Sequence, residues 1–282
     1  VTELALPSWA FRFRAGELTL RIGSALLLIP LALAIAYLGG RLFVLFWGAA
    51  GMGVLWEWMS LVAGSRRRPL LLTGAAALAL PLMLMLLGLH LAACIVLALG
   101  ALAAMAVAAG GRQFWAAAGI PYAGCLILAP AVLRADSKFG FLAILLLFTT
   151  VWTTDIAAYF IGRAVGGPKL LPEVSPNKTW SGVIGGLLAA MVAAIAFAEI
   201  TETQWFAMAM LAVVLSVFAQ AGDLFESFLK RRFGAKDSSR LIPGHGGLMD
   251  RLDGFIAASA AAALLGVARG GFEAPARGLL LW

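Results

Sequence analysis

The run FGFLAILLLFTTVWTTDIAAYFIG, from Phe139 to Gly162, decides the fold. It exceeds the roughly 20 apolar residues a helix needs to cross the hydrocarbon layer. It also holds one carboxylate, Asp155, well inside the run. A carboxylate at that depth is costly unless it faces a cavity, a cation or a partner helix, so it marks function by default. Its simpler reading is a buried acid held by neighbouring hydroxyls such as Thr154 or Tyr159.

The rest of the chain repeats the pattern. Of its 282 residues, 62% are hydrophobic and 12% charged, with a mean hydropathy of +0.97. Soluble domains carry about 25% charged residues, so an ordinary water-soluble globule is excluded. Apolar runs broken by Gly, Pro or charge predict nine spans: Ile22–Leu38, Leu42–Val62, Leu70–Gly88, Leu91–Ala109, Phe114–Leu133, Phe139–Gly162, Gly182–Ile200, Trp205–Gly222 and Phe255–Ala268. Between Leu70 and Ala109 only Gly88 and His90 mark a turn, but one helix of that length would be about twice the bilayer thickness. The fold class is therefore an all-α polytopic integral membrane protein. Residues 1–138 form an N-terminal region of about five spans, and residues 139–282 a C-terminal region of about four in which the candidate functional residues fall.

With the N-terminus inside, 16 of the 21 Lys and Arg fall in inner segments, and only Arg41, Arg134, Lys138, Arg269 and Arg277 lie outside. That bias supports the count and an N-terminus-in orientation. The basic excess reports topology first, and no nucleic-acid partner is expected. Arg12, Arg14 and Arg21 precede an apolar run that reads as the first crossing rather than a cleaved signal. Cys94 and Cys125 lie in apolar runs as packing residues. Two histidines and the lack of a Walker-type loop or HExxH exclude P-loop and zinc-hydrolase chemistry. Glu57, between Trp56 and Trp58 near the inner end of the second span, reads as an interfacial anchor with its carboxylate near the headgroups, with a functional acid as the alternative.

Two inner segments, Arg163 to Ser181 and Asp223 to Asp253, break the lipid pattern as loops. In the first, Ser175-Pro-Asn177-Lys178-Thr179-Trp-Ser181-Gly182 precedes the seventh span. It reads equally as a phosphate cradle at a helix N-terminus or as a cap through Thr179 or Ser181. In the second, a helix continuing past the eighth span places Asp223, Ser227 and Lys230 on one face. Arg231, Arg232, Lys236, Asp237 and Arg240 follow, then Pro243-Gly244-His245-Gly246-Gly247 and Asp250-Arg251-Leu-Asp253. Carboxylates holding Mg2+ and cations neutralising phosphate oxygens explain this density. Taken singly, Lys230 to Arg232 also serve as a topology signal, and Asp253 as a helix cap.

These motifs resemble those of the phosphatidate cytidylyltransferases, or CDP-diacylglycerol synthases. The likeness rests on Ser227 with Lys230-Arg231, Lys236-Asp237, His245-Gly246-Gly247 and Asp250-Arg251 with Asp253, and upstream on Asp155, Ser175 to Thr179 and Gly182. It is specific from about Asp155 to Asp253; before that it covers only span count and hydropathy. Many relatives carry an acid or amide where this chain has Ser181.

The resemblance implies a reaction of CTP with phosphatidate giving CDP-diacylglycerol and pyrophosphate, dependent on Mg2+, at the inner face of a multi-pass protein in the cell membrane. It further implies a homodimer. On this reading Asp223 and Asp250 bind the metal, with Asp237 and Asp253 as second choices. Lys230, Arg231 and Lys236 contact phosphates. Ser175, Asn177, Lys178, Thr179, Ser227, His245, Gly246, Gly247 and Arg251 bind substrate, and Asp155 extends the polar floor. Phosphatidate is already an anion near neutral pH, given a second phosphomonoester pKa of about 6, so no strong base is required. A CTP-dependent polyprenol or phytol kinase is the nearer alternative, and an anionic-lipid transporter the more distant one.

Overall fold

The computed structural model describes residues 15–108, 111–239, 241–242 and 246–282, with side chains omitted at 15–22, 24 and 25. Ten α-helices account for nearly all of its regular structure: α1 (Ala15–Leu38), α2 (Gly40–Val62), α3 (Arg67–Leu86), α4 (His90–Val107), α5 (Gln113–Arg134), α6 (Gly140–Val165), α7 (Trp180–Thr201), α8 (Trp205–Arg232), α9 (Met249–Gly270) and α10 (Pro275–Leu280). Two short strands, β1 (Lys169–Leu171) and β2 (Ser175–Thr179), lie between α6 and α7.

Among the described residues, eight helices are long and apolar enough to cross a membrane. The first predicted span lies in α1, whose described apolar part is Leu26–Leu38. The doubtful division at Gly88 is real: α3 ends at Leu86, and Gly88 turns the chain at φ 76° before α4 begins. Only glycine adopts that backbone without strain.

The spans differ in depth. In α5, 67% of the span is buried inside the protein, against 22% of α4, so α5 is central and α4 faces lipid. One core cluster extends from Ile35 to Leu280 and joins both halves of the chain. Trp47 of α2 stacks on Phe255 of α9 at 4.6 Å, and the Trp58 indole donates to the Trp115 carbonyl at 2.8 Å.

Both segments read as loops carry regular structure among the described residues, the continuation of the eighth span as a helix being the part expected. Within the first, β1 and β2 form an antiparallel hairpin with Lys169 opposite Thr179 and Leu171 opposite Ser175. Gly166 and Gly167, at φ 67° and 101°, turn the chain from α6 into it. The second is shortened from both ends. Helix α8 runs on past Gly222 to Arg232, and α9 starts at Met249 rather than Phe255. Asp250, Arg251 and Asp253 are therefore helical, and Asp253 does not cap the helix. At 1.5 Å per residue, α8 is about 42 Å long against a hydrocarbon core of about 30 Å, so its last turns reach the headgroup level.

Helices α6 and α7 approach closely because Gly182 and Gly186 face α6. A Cβ at Gly182 would lie 2.7 Å from the Ala158 carbonyl oxygen, and one at Gly186 2.8 Å from that of Thr154. This small-residue pair serves packing within the chain.

Candidate active site

An open cavity of about 1040 Å³ lies where α6, the hairpin, α7, α8 and α9 converge. The two polar segments meet in it. Lys178, at the end of β2, forms an ion pair with Asp223 of α8 (Nζ to Oδ2, 2.5 Å). Both side chains are partly exposed. Asp155 and Asp253 lie close enough to interact electrostatically with Asp223 and with Lys178.

A second cluster stands beside the first. Lys230 is held between two carboxylates, Glu226 Oε2 at 2.7 Å and Asp250 Oδ1 at 2.6 Å. Asp250 also accepts from the Ser238 amide at 3.1 Å, the Ser238 hydroxyl at 3.0 Å and the Gly247 amide at 2.8 Å. Its acceptor sites are thus filled by protein donors, given about four lone-pair positions on a carboxylate. Glu226 is 1% exposed, and its Oε1 has no hydrogen-bond partner.

Asp155, Asn177, Lys178, Thr179, Asp223, Lys230, Asp237, Asp250, Arg251 and Asp253 all line the cavity. The structure thus brings together ten of the residues singled out from sequence. Thr179 additionally acts as the α7 N-cap, accepting from the Gly182 amide at 3.2 Å, so the capping reading holds for it. Ser181 bonds to the Gly166 carbonyl and ties α7 to the hairpin's entry.

Several expected residues do not line the cavity. Ser175 is taken up in β2 pairing with Leu171. Ser227 is half-buried off the lining, where the α8 face runs through Asp223, Glu226 and Lys230 instead. Arg231 is exposed and closes the helix end by donating to the Ala235 carbonyl at 3.2 Å. Lys236 is exposed as well. Gly246 accepts through its carbonyl from the Ile242 amide, and Gly247 reaches the site only through its amide bond to Asp250. His245 lies outside the described residues.

Sequence reasoning missed Glu226, although its spacing of three from Asp223 and four before Lys230 was a usable signal. It also missed the surroundings of Glu57, whose carboxylate is fully buried in protein rather than turned to the headgroups. Its carboxylate accepts hydrogen bonds from Ser238, Ser239, Leu248 and Met249, which replace the solvent an interfacial anchor would need.

The cavity lining carries the carboxylates Asp155, Asp223, Glu226, Asp237, Asp250 and Asp253 against Arg163, Lys169, Lys178, Lys230 and Arg251. Such a lining is not a simple anion trap. Phosphate groups entering it need additional positive charge.

Residues 19–268 match the model of the cytidylyltransferase family. A phosphatidate cytidylyltransferase of Brucella suis biovar 1 is 44% identical over 259 residues, covering 89% of this chain and 93% of the relative. Proteins of the same name from Haemophilus influenzae and Bacillus subtilis are 44% and 41% identical over 149 and 126 residues, or 49% and 44% of this chain and 51% and 47% of theirs. The likeness to the Brucella protein therefore extends well beyond the motif-bearing region into the N-terminal spans. With the match running from α1 to α9, the chain belongs to the cytidylyltransferase family.

Proposed function

We propose that this protein transfers the cytidylyl group of CTP to phosphatidate, releasing pyrophosphate and leaving CDP-diacylglycerol in the membrane. The observation that carries the reading is the Lys178–Asp223 pair, which joins the hairpin segment to the α8 segment in one cavity beside the Glu226–Lys230–Asp250 cluster. The names of the relatives supply the substrates.

An oxygen of the phosphatidate phosphate attacks the α-phosphorus of CTP. A new P–O bond forms as the bond to the β-phosphate oxygen breaks, and pyrophosphate departs with that electron pair. The work is to hold two anions in line and to stabilise charge on the leaving group. Lys178 and Lys230 are suited to it because their ammonium groups are fixed by carboxylates before substrate arrives. Asn177 and the first turn of α7 offer donors to a phosphate. CTP enters from water while the acyl chains remain in lipid.

Mg2+ fits the chemistry of this donor set. Among the described residues no three His, Cys, Asp or Glu side chains form a ready cage, but Mg2+ is commonly held by one or two carboxylates together with substrate phosphates. The acid-rich lining and the orphaned Glu226 Oε1 provide hard oxygen donors. Asp223 and Asp253 would hold the ion, with Asp250 a second choice because its oxygens are already occupied. When bound, it supplies charge neutralisation for the phosphates. We place the cavity on the cytoplasmic side from the Lys and Arg bias, and a homodimer is part of the same proposal by family analogy.

Purified protein given CTP, phosphatidate and Mg2+ is expected to release one pyrophosphate per CDP-diacylglycerol. Release of CDP with a polyprenol in place of phosphatidate, and no reaction with phosphatidate, would replace this reading with a lipid-alcohol kinase.

A further inference from the structure

Glu57 lies on α2, in the half of the molecule that contributes no lining residue to the cavity. It is 0% exposed, yet its carboxylate is saturated. Oε1 accepts from the Ser239 hydroxyl at 2.5 Å and the Leu248 amide at 2.8 Å. Oε2 accepts from the Ser238 hydroxyl at 3.0 Å and the Met249 amide at 2.6 Å. These donors come from the middle of the connection from α8 to α9 and from its junction with α9, so one carboxylate fastens both. Leu248 and Met249 also form the start of α9, where a negative charge is favourable beside free amides.

The same connection builds the Lys230 cluster. The Ser238 hydroxyl lies 3.0 Å from both Glu57 Oε2 and Asp250 Oδ2, so its single proton is shared between the two carboxylates, while Ser238 and Gly247 each donate to Asp250 through their amides. A Cβ on Gly247 would lie 1.9 Å from Ser238 Oγ and 2.8 Å from Glu57 Oε1, so the backbone sits directly on the carboxylate. A continuous chain of contacts thus runs from Glu57 through Ser238 and Asp250 to Lys230 and Glu226.

We infer that Glu57 is a positioning residue for catalysis: from the N-terminal half it clamps the α8–α9 connection and thereby sets Asp250 and Lys230 for phosphate binding. This rests on the functional reading above. The carboxylate is required chemically, because each of its oxygens faces one backbone N–H. A glutamine there directs its NH2 at one of those amides whichever way it is turned, and an amide donor cannot accept.

The experiment compares steady-state pyrophosphate release and thermal unfolding for the wild type, Glu57→Gln, Glu57→Asp, Ser238→Ala and the Glu57→Gln/Ser238→Ala double variant. Misplacing a reacting group by about 1 Å costs on the order of 100-fold. Glu57→Gln is accordingly expected to lose about 10- to 100-fold in kcat while staying folded, with a smaller change in the KM for CTP. Glu57→Asp should recover part of that loss. The double variant should lose no more than the worse single, because both break one chain of contacts. Wild-type kcat in folded Glu57→Gln, or additive losses in the double variant, would overturn the inference. Should Glu57→Gln fail to fold, Ser238→Ala decides: reduced kcat supports the clamp and unchanged kcat refutes it. A wild type without pyrophosphate release would instead defeat the functional reading, so the two failures are distinct.

Discussion

The two halves of this protein are made of the same apolar helices and differ in where they keep polar groups. Among the described residues, Glu57 is the only buried charged, hydroxyl or amide side chain before Thr150 apart from the phenol of Tyr122, whereas Thr154, Thr179, Ser216, Glu226, Ser238 and Ser259 follow beyond it. The first half packs a hydrophobic interior behind α5 and turns α3 and α4 outward, with 33% and 22% of their spans buried. The second half opens a charged cavity beside the headgroup level. The contrast teaches that composition alone does not separate scaffold from site in a membrane protein. The separation comes from which charges the fold gathers, and the scaffold sends one carboxylate across to hold the gathering in place.

The largest expected effect comes from the centre of the second half. Asp223→Asn removes the charge that holds Lys178 and an oxygen donor from the cavity, and should lower kcat by about 100- to 1000-fold, the scale for loss of one electrostatic stabiliser. Unfolding temperature should change little, since Asp223 is partly exposed. An active, Mg2+-dependent Asp223→Asn protein would show that the acid cluster is not the functional centre and would erase the contrast.

A middle-sized effect is expected where α6 meets α7. Gly182→Ala pushes a methyl group against the Ala158 carbonyl and should destabilise the protein by about 1–3 kcal/mol, read by denaturation in detergent. Unchanged stability would mean that the helices separate without cost and that the cavity wall is soft.

The smallest effect belongs to the first half. Arg67 donates to Ser60 at 2.7 Å and lies over the Trp56 ring at 5.8 Å, both at the exposed surface. Arg67→Ala should alter stability by less than about 0.5 kcal/mol and leave pyrophosphate release within experimental scatter. A large loss of turnover there would place working residues in the half described as scaffold.

Much of the site was legible because the motif residues recur at helical spacing or in short polar runs. Asp223 and Lys230 fall on one face of a helix that outlasts its span, and Ser175 to Thr179 stand immediately before an apolar run. Other parts were not legible. The hairpin escaped notice because strands of three and five residues give no useful alternation. Glu226 escaped notice because spacing places it and Ser227 near the same face and only packing decides between them. The burial of Glu57 was not foreseen because its flanking tryptophans are typical of a membrane interface, while its four partners lie 181 to 192 residues further along the chain.

The sequence by itself determined that this chain crosses the bilayer repeatedly and which segments carry its charge, because transfer of apolar residues into lipid is a property of each run of chain. Only the tertiary structure decided that Glu57 and Glu226 join the polar machinery, that Asp250 spends its oxygens on Ser238, Gly247 and Lys230, and that Lys178 meets Asp223. Those arrangements depend on buried polar groups finding partners across the fold, and no local pattern encodes which partner will be within reach.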